Sequence, residues 1–206
     1  MSARSALSER LLFLRSFVAH PRQVGAILPT SRRAVEVMLH LAELERADLV
    51  LELGAGTGSH TRAILARLGP QARLVAFEID PRMAEAVRDA VSDPRLEVVA
   101  GSAEDMHGVL DGASPQVVVS ALPFTSLPSG VGRAILERTA DVLAPDGVFL
   151  VLQYSPLIAS QLSQLFGSVQ RRVCLRNVPP AFLFACREPR RSGGGSGSAT
   201  AGGPGP

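Results

Sequence analysis

The chain contains no tryptophan and a single tyrosine. It also has no lysine, so all 21 of its basic residues are arginine. Its two cysteines, Cys174 and Cys186, are too few for a disulfide framework or a zinc site. Both lie in apolar, strand-like stretches, which predicts buried free thiols, and no metal is expected. No run approaches the ~20 apolar residues of a spanning helix; the longest near the N-terminus is Leu11 to Leu14. No apolar stretch leads into a small-residue cleavage site. These absences predict a cytoplasmic protein, with any membrane contact peripheral and on the inner face.

What is present is a globular composition. The 206 residues are 46% hydrophobic and 19% charged, enough for one domain with a full core. The formal charge of +2 is unevenly spread. Residues 1–33 hold six arginines against Glu9 alone, a net +5. Residues 34–186 hold 12 arginines against 17 acids, a net −5. A basic front segment therefore precedes an acidic body.

Hydrophobic periodicity orders the body. Residues 4–19 read as an amphipathic helix, with Leu7, Leu11, Leu14 and Val18 on one stripe, Phe17 widening it, and Arg10 and Arg15 flanking. A second helix is expected from an N-cap at Thr30 or Ser31 to about Glu45. Strands are expected at 49–53, 73–77, 96–100, 116–121, 148–153, 169–176 and 181–187. Helices are expected at 58–68, 81–91, 129–143 and 157–166. Strands separated by helices imply a parallel sheet. The last two strands lack a helix between them and should form an antiparallel hairpin at one edge. Residues 1–33 form a lid or membrane-contact segment in this reading, 34–188 the catalytic domain, and 189–206 a flexible glycine- and serine-rich tail.

The chemistry centres on Glu52-Leu53-Gly54-Ala55-Gly56-Thr57-Gly58. A buried strand runs into a glycine turn that opens a helix, so the backbone can approach a ligand closely. Glu78, at the end of the next strand, is placed to accept both ribose hydroxyls of an adenosine ligand. Gly-x-Gly-x-Gly departs from the Gly-x-Gly-x-x-Gly of dinucleotide sites. Acidic Glu52 would crowd a pyrophosphate but suits a ligand with a cationic amino-acid end.

This run resembles the first motif of class I S-adenosylmethionine-dependent methyltransferases. The resemblance implies a Rossmann-like α/β fold, a seven-stranded, mostly parallel sheet with an antiparallel C-terminal hairpin, preceded by amphipathic helices. It implies S-adenosyl-L-methionine as cofactor, held by Glu52, Gly54, Ala55, Gly56, Thr57, Gly58, Glu78 and its neighbour Ile79. Ser102, Ala103 and Glu104 lie where the family contacts adenine, although many members carry an acid where Ser102 stands. Ser120-Ala121-Leu122-Pro123-Phe124 resembles the Asn/Asp/Ser-x-x-Pro-Phe/Tyr motif of amino methyltransferases. Ser120 would then orient the target amine beside the cofactor, while Phe124 and Tyr154 line the site and favour a cationic product.

Three further segments narrow the resemblance. They are Phe13-Leu14-x-x-Phe17 continuing to Pro29-Thr30-Ser31, Gln153-Tyr154-Ser155-Pro156, and Asn177-Val178-Pro179-Pro180-Ala181. Together with Leu122-Pro123 they are similar to the bacterial phospholipid N-methyltransferases, over roughly residues 10–188. That implies methylation of the phosphatidylethanolamine headgroup towards phosphatidylcholine, at an anionic membrane surface, by a monomer. The arginine-flanked front helix suits a bilayer interface, and equally a lid. Arg22 and Arg33 are candidates for the lipid phosphate, with Gly25, Leu122 and Pro123 beside them. Two alternatives stand. An rRNA adenine N6-methyltransferase usually has Asn-x-Pro-Phe/Tyr and a helical C-terminal domain, and an acidic body suits a phosphate polymer poorly; no nucleic acid partner is expected. A non-catalytic S-adenosylmethionine-binding membrane adaptor is opposed by the intact glycines and Glu78.

Overall fold

The computed structural model describes residues 31–128, 130–175, 177 and 179–191. The helix expected over 4–19, the candidates Arg22 and Gly25, and the tail from 192 lie outside them. The elements in chain order are α1 (Arg32–Leu39), β1 (Leu49–Leu53), α2 (Ser59–Leu65), β2 (Arg73–Glu78) and α3 (Pro81–Ala90). They continue with β3 (Leu96–Ala100), α4 (Met106–Leu110), β4 (Val117–Ser120), α5 (Val131–Val142) and β5 (Val148–Gln153). The last are α6 (Ala159–Leu165), β6 (Phe166–Cys174) and β7 (Ala181–Pro189).

Seven strands form one sheet in the order β3-β2-β1-β4-β5-β7-β6. The first five pair in parallel. β7 runs antiparallel to both β5 and β6, leaving β6 as an edge. This is the expected architecture, and the two cysteines are buried and free, as expected.

Strand side chains alternate between faces, which divides the core in two. Leu51, Leu53, Phe77, Val118, Phe149 and Val151 pack with Met106, Ile135, Leu136 and Leu162, under α4, α5 and α6. Val50, Leu74, Val117, Val119, Leu150 and Leu152 pack with Met38, Leu39, Ile64 and Leu65, under α1 and α2.

Beyond shifts of a few residues at element ends, three local features depart from expectation. α1 stops at Leu39 instead of near Glu45. Leu41 and Leu44 are still buried, but through a bend and a short 3-10 turn, and Arg187 Nη2 donates to Leu41 O at 2.7 Å. The apolar spacing continues past the helix because burial, not helicity, sets it. α4 was not expected, since residues 101–112 are rich in glycine and acids. Ser102 starts this segment by accepting the Glu104 N–H at 3.1 Å, and Met106 and Leu110 anchor it. Phe166 opens β6 instead of closing α6, because its ring is buried against Phe149, with centroids 5.8 Å apart.

The start of α1 joins two distant segments. Ser31 Oγ accepts the Ala34 N–H at 3.2 Å as N-cap. The Ser31 N–H donates to Asn177 Oδ1 at 2.9 Å, and Asn177 Nδ2 donates to Pro179 O at 2.7 Å. The chain therefore enters the domain against the β6–β7 loop, at the end of the sheet where the parallel strands finish.

Candidate functional site

At that end, β1 passes into the glycine turn. Gly54, Gly56 and Gly58 have φ of +84°, +56° and +74°, a region that disfavours side chains. The Gly54 and Ala55 N–H groups both donate to Phe77 O at 2.9 Å, tying the turn to the end of β2. A Cβ on Gly54 would come within 2.7 Å of Leu122 Cδ2. A Cβ on Gly56 would meet nothing within 4 Å, so open space lies beside it.

Two buried carboxylates flank the turn. Glu78 Oε2 accepts the Gly56 N–H at 2.8 Å, and its Oε1 accepts the Asp80 N–H at 3.0 Å. Burial pushes the Glu78 carboxyl up, against the opposing pull of these two amides. Glu52 Oε2 accepts from Thr61 Oγ1 at 2.7 Å, whereas Oε1 is buried without a partner. Burial pushes Glu52 up to about 8; the Thr61 hydrogen bond opposes this and the Glu78 charge adds to it. An unpartnered buried carboxylate oxygen is costly, and a cationic group would relieve it. His60, at the start of α2, is likewise buried, with Nε2 unpartnered; burial pushes it down to about 4.

Beside Glu78 opens a cavity of about 490 Å³, its mouth included. Gly54, Glu78, Ile79, Ser102, Ala103, Leu122 and Pro123 line it, all foreseen from the sequence. Phe77, Gly101, Leu127 and Ile135 line it too. Gly101 follows β3 directly and could have been read as a turn beside the ligand. Leu127 and Ile135 come from the β4–α5 loop and from α5, and no local pattern marks them. The slot is apolar along Ile79, Ala103, Leu122, Leu127 and Ile135, with the Glu78 carboxylate at one side. That donor set fits a flat adenine, a ribose on Glu78 and a cationic amino acid towards Glu52.

Residues 50–147 match a family described as methyltransferase domain. The chain is 30% identical over 191 residues to an ornithine lipid N-methyltransferase of Singulisphaera acidiphila, covering 90% of this chain and all of that one. The chain belongs to the class I S-adenosylmethionine-dependent methyltransferases. It is also 41% identical over 113 residues to an rRNA methyltransferase of Streptomyces thermotolerans; the match covers 54% of this chain and 32% of that protein. Among solved structures it resembles the N-methyltransferase NodS of Bradyrhizobium japonicum bound to S-adenosyl-L-homocysteine. There the TM-score is 0.63 and the identity 15%, over 77% of this chain and 87% of that one. S-adenosyl-L-methionine is the methyltransferase's cofactor.

The other foreseen residues are placed unevenly. Glu104 sits beside the cavity wall, where the Ser102 hydroxyl donates to its Oε2 at 3.4 Å. Ala55 is buried against Ala76 and Val87, and Thr57 is exposed on the outer side of the turn. Ser120 is fully buried, and its Oγ accepts the Leu122 N–H at 3.2 Å. It therefore holds the turn that follows β4.

The two aromatics are not brought together. Phe124 is buried in the core under α5 and is absent from the cavity wall, whereas Tyr154 packs against the core on the other face of the sheet. Tyr154 follows the alternation of β5, on the face of Val148, Leu150 and Leu152. Arg33 lies exposed on α1 and is not among the cavity-lining residues.

Sequence reading missed Thr61, the partner of Glu52, and Gln153. Gln153 is 4% exposed, and its Nε2 donates to Leu122 O at 2.6 Å and Leu152 O at 2.7 Å. Leu122 is thus gripped from both sides, by Ser120 at its N–H and by Gln153 at its carbonyl. A polar residue closing an all-apolar strand, Val148–Leu152, was the signal that could have found it.

Proposed function

We propose that the enzyme N-methylates the amine headgroup of a membrane lipid, with phosphatidylethanolamine, on the way to phosphatidylcholine, as the substrate. The observation that supports lipid N-methylation is the end-to-end match to an ornithine lipid N-methyltransferase; phosphatidylethanolamine as the particular lipid rests on the sequence resemblance described above. By contrast, the rRNA methyltransferase match covers about half of this chain. An acidic body around the site also disfavours a polyanion and suits an aminolipid.

Bound S-adenosyl-L-methionine supplies a methyl group on a positively charged sulfur, already activated for transfer. The protein's task is then mainly to bind and orient. Glu78, oriented by the Gly56 and Asp80 amides, presents its carboxylate to the ribose hydroxyls. Glu52 offers an unpartnered Oε1 to a cationic amine. The apolar slot from Ile79 to Ile135 takes the adenine, with Ser102 and Glu104 at its polar edge. Leu122 and Pro123 form the wall shared by cofactor and acceptor. The acceptor amine must be neutral to attack. Transfer to the amine would leave the cofactor as its neutral thioether. The ammonium formed by a first or second methylation would have to lose a proton to solvent before the next one, the last product being a quaternary ammonium with no proton to lose.

The reading places the protein peripherally on the inner face of the membrane, with the arginine-rich residues 1–33 towards anionic lipid. Among the described residues no helix is long and apolar enough to cross a bilayer. The test is transfer of radiolabelled methyl to phosphatidylethanolamine, ornithine lipid and rRNA in parallel. Label in phosphatidylethanolamine is expected. Label in ornithine lipid alone would move the substrate to that headgroup, and label in RNA alone would overturn the lipid reading.

A further inference from the structure

Among the described residues three large apolar side chains are exposed: Leu157 at 73%, Val173 at 45% and Leu175 at 75%. Scattered singly, such residues carry no meaning. These three share one end of the sheet. Val173 pairs with Phe182, which pairs with Gln153, the last residue of β5. Directly paired residues point to the same face. Leu157 begins the turn into α6, which packs on that face. Leu175 follows Cys174, the last residue of β6. With β7 between them, β5 and β6 lie about 10 Å apart. The three side chains therefore belong to one rim, at the end of the sheet that also carries Gly54, Glu78 and Leu122.

Below this tip lies positive charge. Arg171 and Arg172 are exposed on β6. Arg171 shares the face of Val173, about 7 Å further from the rim. Arginine on an edge strand commonly guards against strand pairing. That accounts for Arg171 and Arg172 but not for exposed leucines beyond the strand, least of all Leu157, which is on another element. The basic residues 1–33 join the domain at Ser31, held to Asn177 in the loop next to Leu175. Apolar tips above a cationic collar match the depth profile of a bilayer interface, acyl chains above phosphate groups.

We infer that Leu157, Val173 and Leu175 insert into an anionic lipid surface, with Arg171 and Arg172 at the phosphate level, so that the active-site end of the sheet faces the membrane. This rests on the lipid reading above and deepens it by assigning the surface. An acceptor headgroup is presented at the mouth of the site without leaving its bilayer.

The test uses the full chain and vesicles of phosphatidylcholine with phosphatidylglycerol. Leu157→Ser combined with Leu175→Ser should lower vesicle partitioning about tenfold, with an unchanged melting temperature. Arg171→Gln combined with Arg172→Gln should lower it further as phosphatidylglycerol is raised. Methyl transfer to a short-chain, water-soluble phosphatidylethanolamine should be retained by both. A polarity-sensitive fluorophore on Leu157→Cys, with Cys174 and Cys186 buried, should shift to the blue on vesicles. Unchanged partitioning, or no fluorescence shift, would overturn the inference. If the fluorophore inserts but the wild type methylates no aminolipid, the substrate reading fails and the rim stands. If lipid methylation persists with partitioning unaffected by the variants, the rim fails and the substrate reading stands.

Discussion

The amide N–H of Gly56 donates to Glu78 Oε2 at 2.8 Å, so the glycine turn after β1 and the acid ending β2 form one unit. Residues 22 apart in sequence act together because β1 and β2 pair in parallel, with Leu53 opposite Phe77. The bond orients the carboxylate and holds the middle of the turn. Glu78→Ala removes both functions. A hydrogen bond to a charged group contributes about 1.5–3 kcal/mol, so affinity for S-adenosyl-L-methionine should fall by one to two orders of magnitude. Isothermal titration calorimetry reads this directly, and an unchanged affinity would remove Glu78 from the site.

The glycines separate by what surrounds them. Gly54→Ala places a methyl 2.7 Å from Leu122 Cδ2 at a φ of +84°. It should destabilise the cofactor-free protein by roughly 1–3 kcal/mol. Gly56→Ala enters open space at a φ of +56°, nearer the left-handed helical region, at a cost of about 1 kcal/mol. Its effect should instead fall on cofactor affinity, because the methyl occupies room beside Glu78. Thermal melts with and without S-adenosyl-L-homocysteine separate the two. Equal losses of apo stability would contradict the assignment of that open space to the ligand.

This contrast shows what the sequence could and could not convey. The glycine turn, Glu78 and the strand-end residues Ser102 and Leu122 were legible because each sits at a fixed offset from a strand, and strand periodicity is local. Leu127 and Ile135 were not. They reach the site through the β4–α5 loop and the packing of α5, which are long-range outcomes. Tyr154 was legible in its own way: it continues the alternation of Val148, Leu150 and Leu152 and so packs with them on the α1 face, opposite Gln153.

Glu52 gives the cofactor-free protein a distinct pH response. Its folded value of about 8 lies above the ordinary 4.5. Between these values the unfolded chain releases a proton that the fold retains, so stability falls as pH rises from 4.5 to 8. Glu78, also raised, acts in the same direction. His60 opposes them: its folded value of about 4 lies below 6.5, so its contribution is lost as pH falls from 6.5 to 4. The effects oppose one another up to about pH 6.5, and above it the Glu52 effect is no longer opposed by His60. The melting temperature should therefore drop from pH 6.5 to 8, and Glu52→Gln should flatten most of that drop. A variant with the wild-type slope would show that Glu52 ionises freely in the fold.

Gln153 is a positioning residue, since it touches the turn after β4 and not the cavity. Its Nε2 fixes Leu122 O while Ser120 fixes the Leu122 N–H, and the Leu122 side chain forms the wall against Gly54. Gln153→Met keeps the volume and removes the donor. The turn should then sample other positions, lowering the rate of methyl transfer about tenfold, the equivalent of a single hydrogen bond of ~1.4 kcal/mol. The carboxylates and the glycine turn are untouched and Leu122 is only one wall of the slot, so S-adenosyl-L-methionine affinity should fall less than the rate, by about threefold at most. A purely structural role would lower rate and affinity together in step with the melting temperature. Single-turnover rates beside calorimetric affinities decide between these outcomes, and an unchanged rate would release Leu122 from any part in presenting the acceptor.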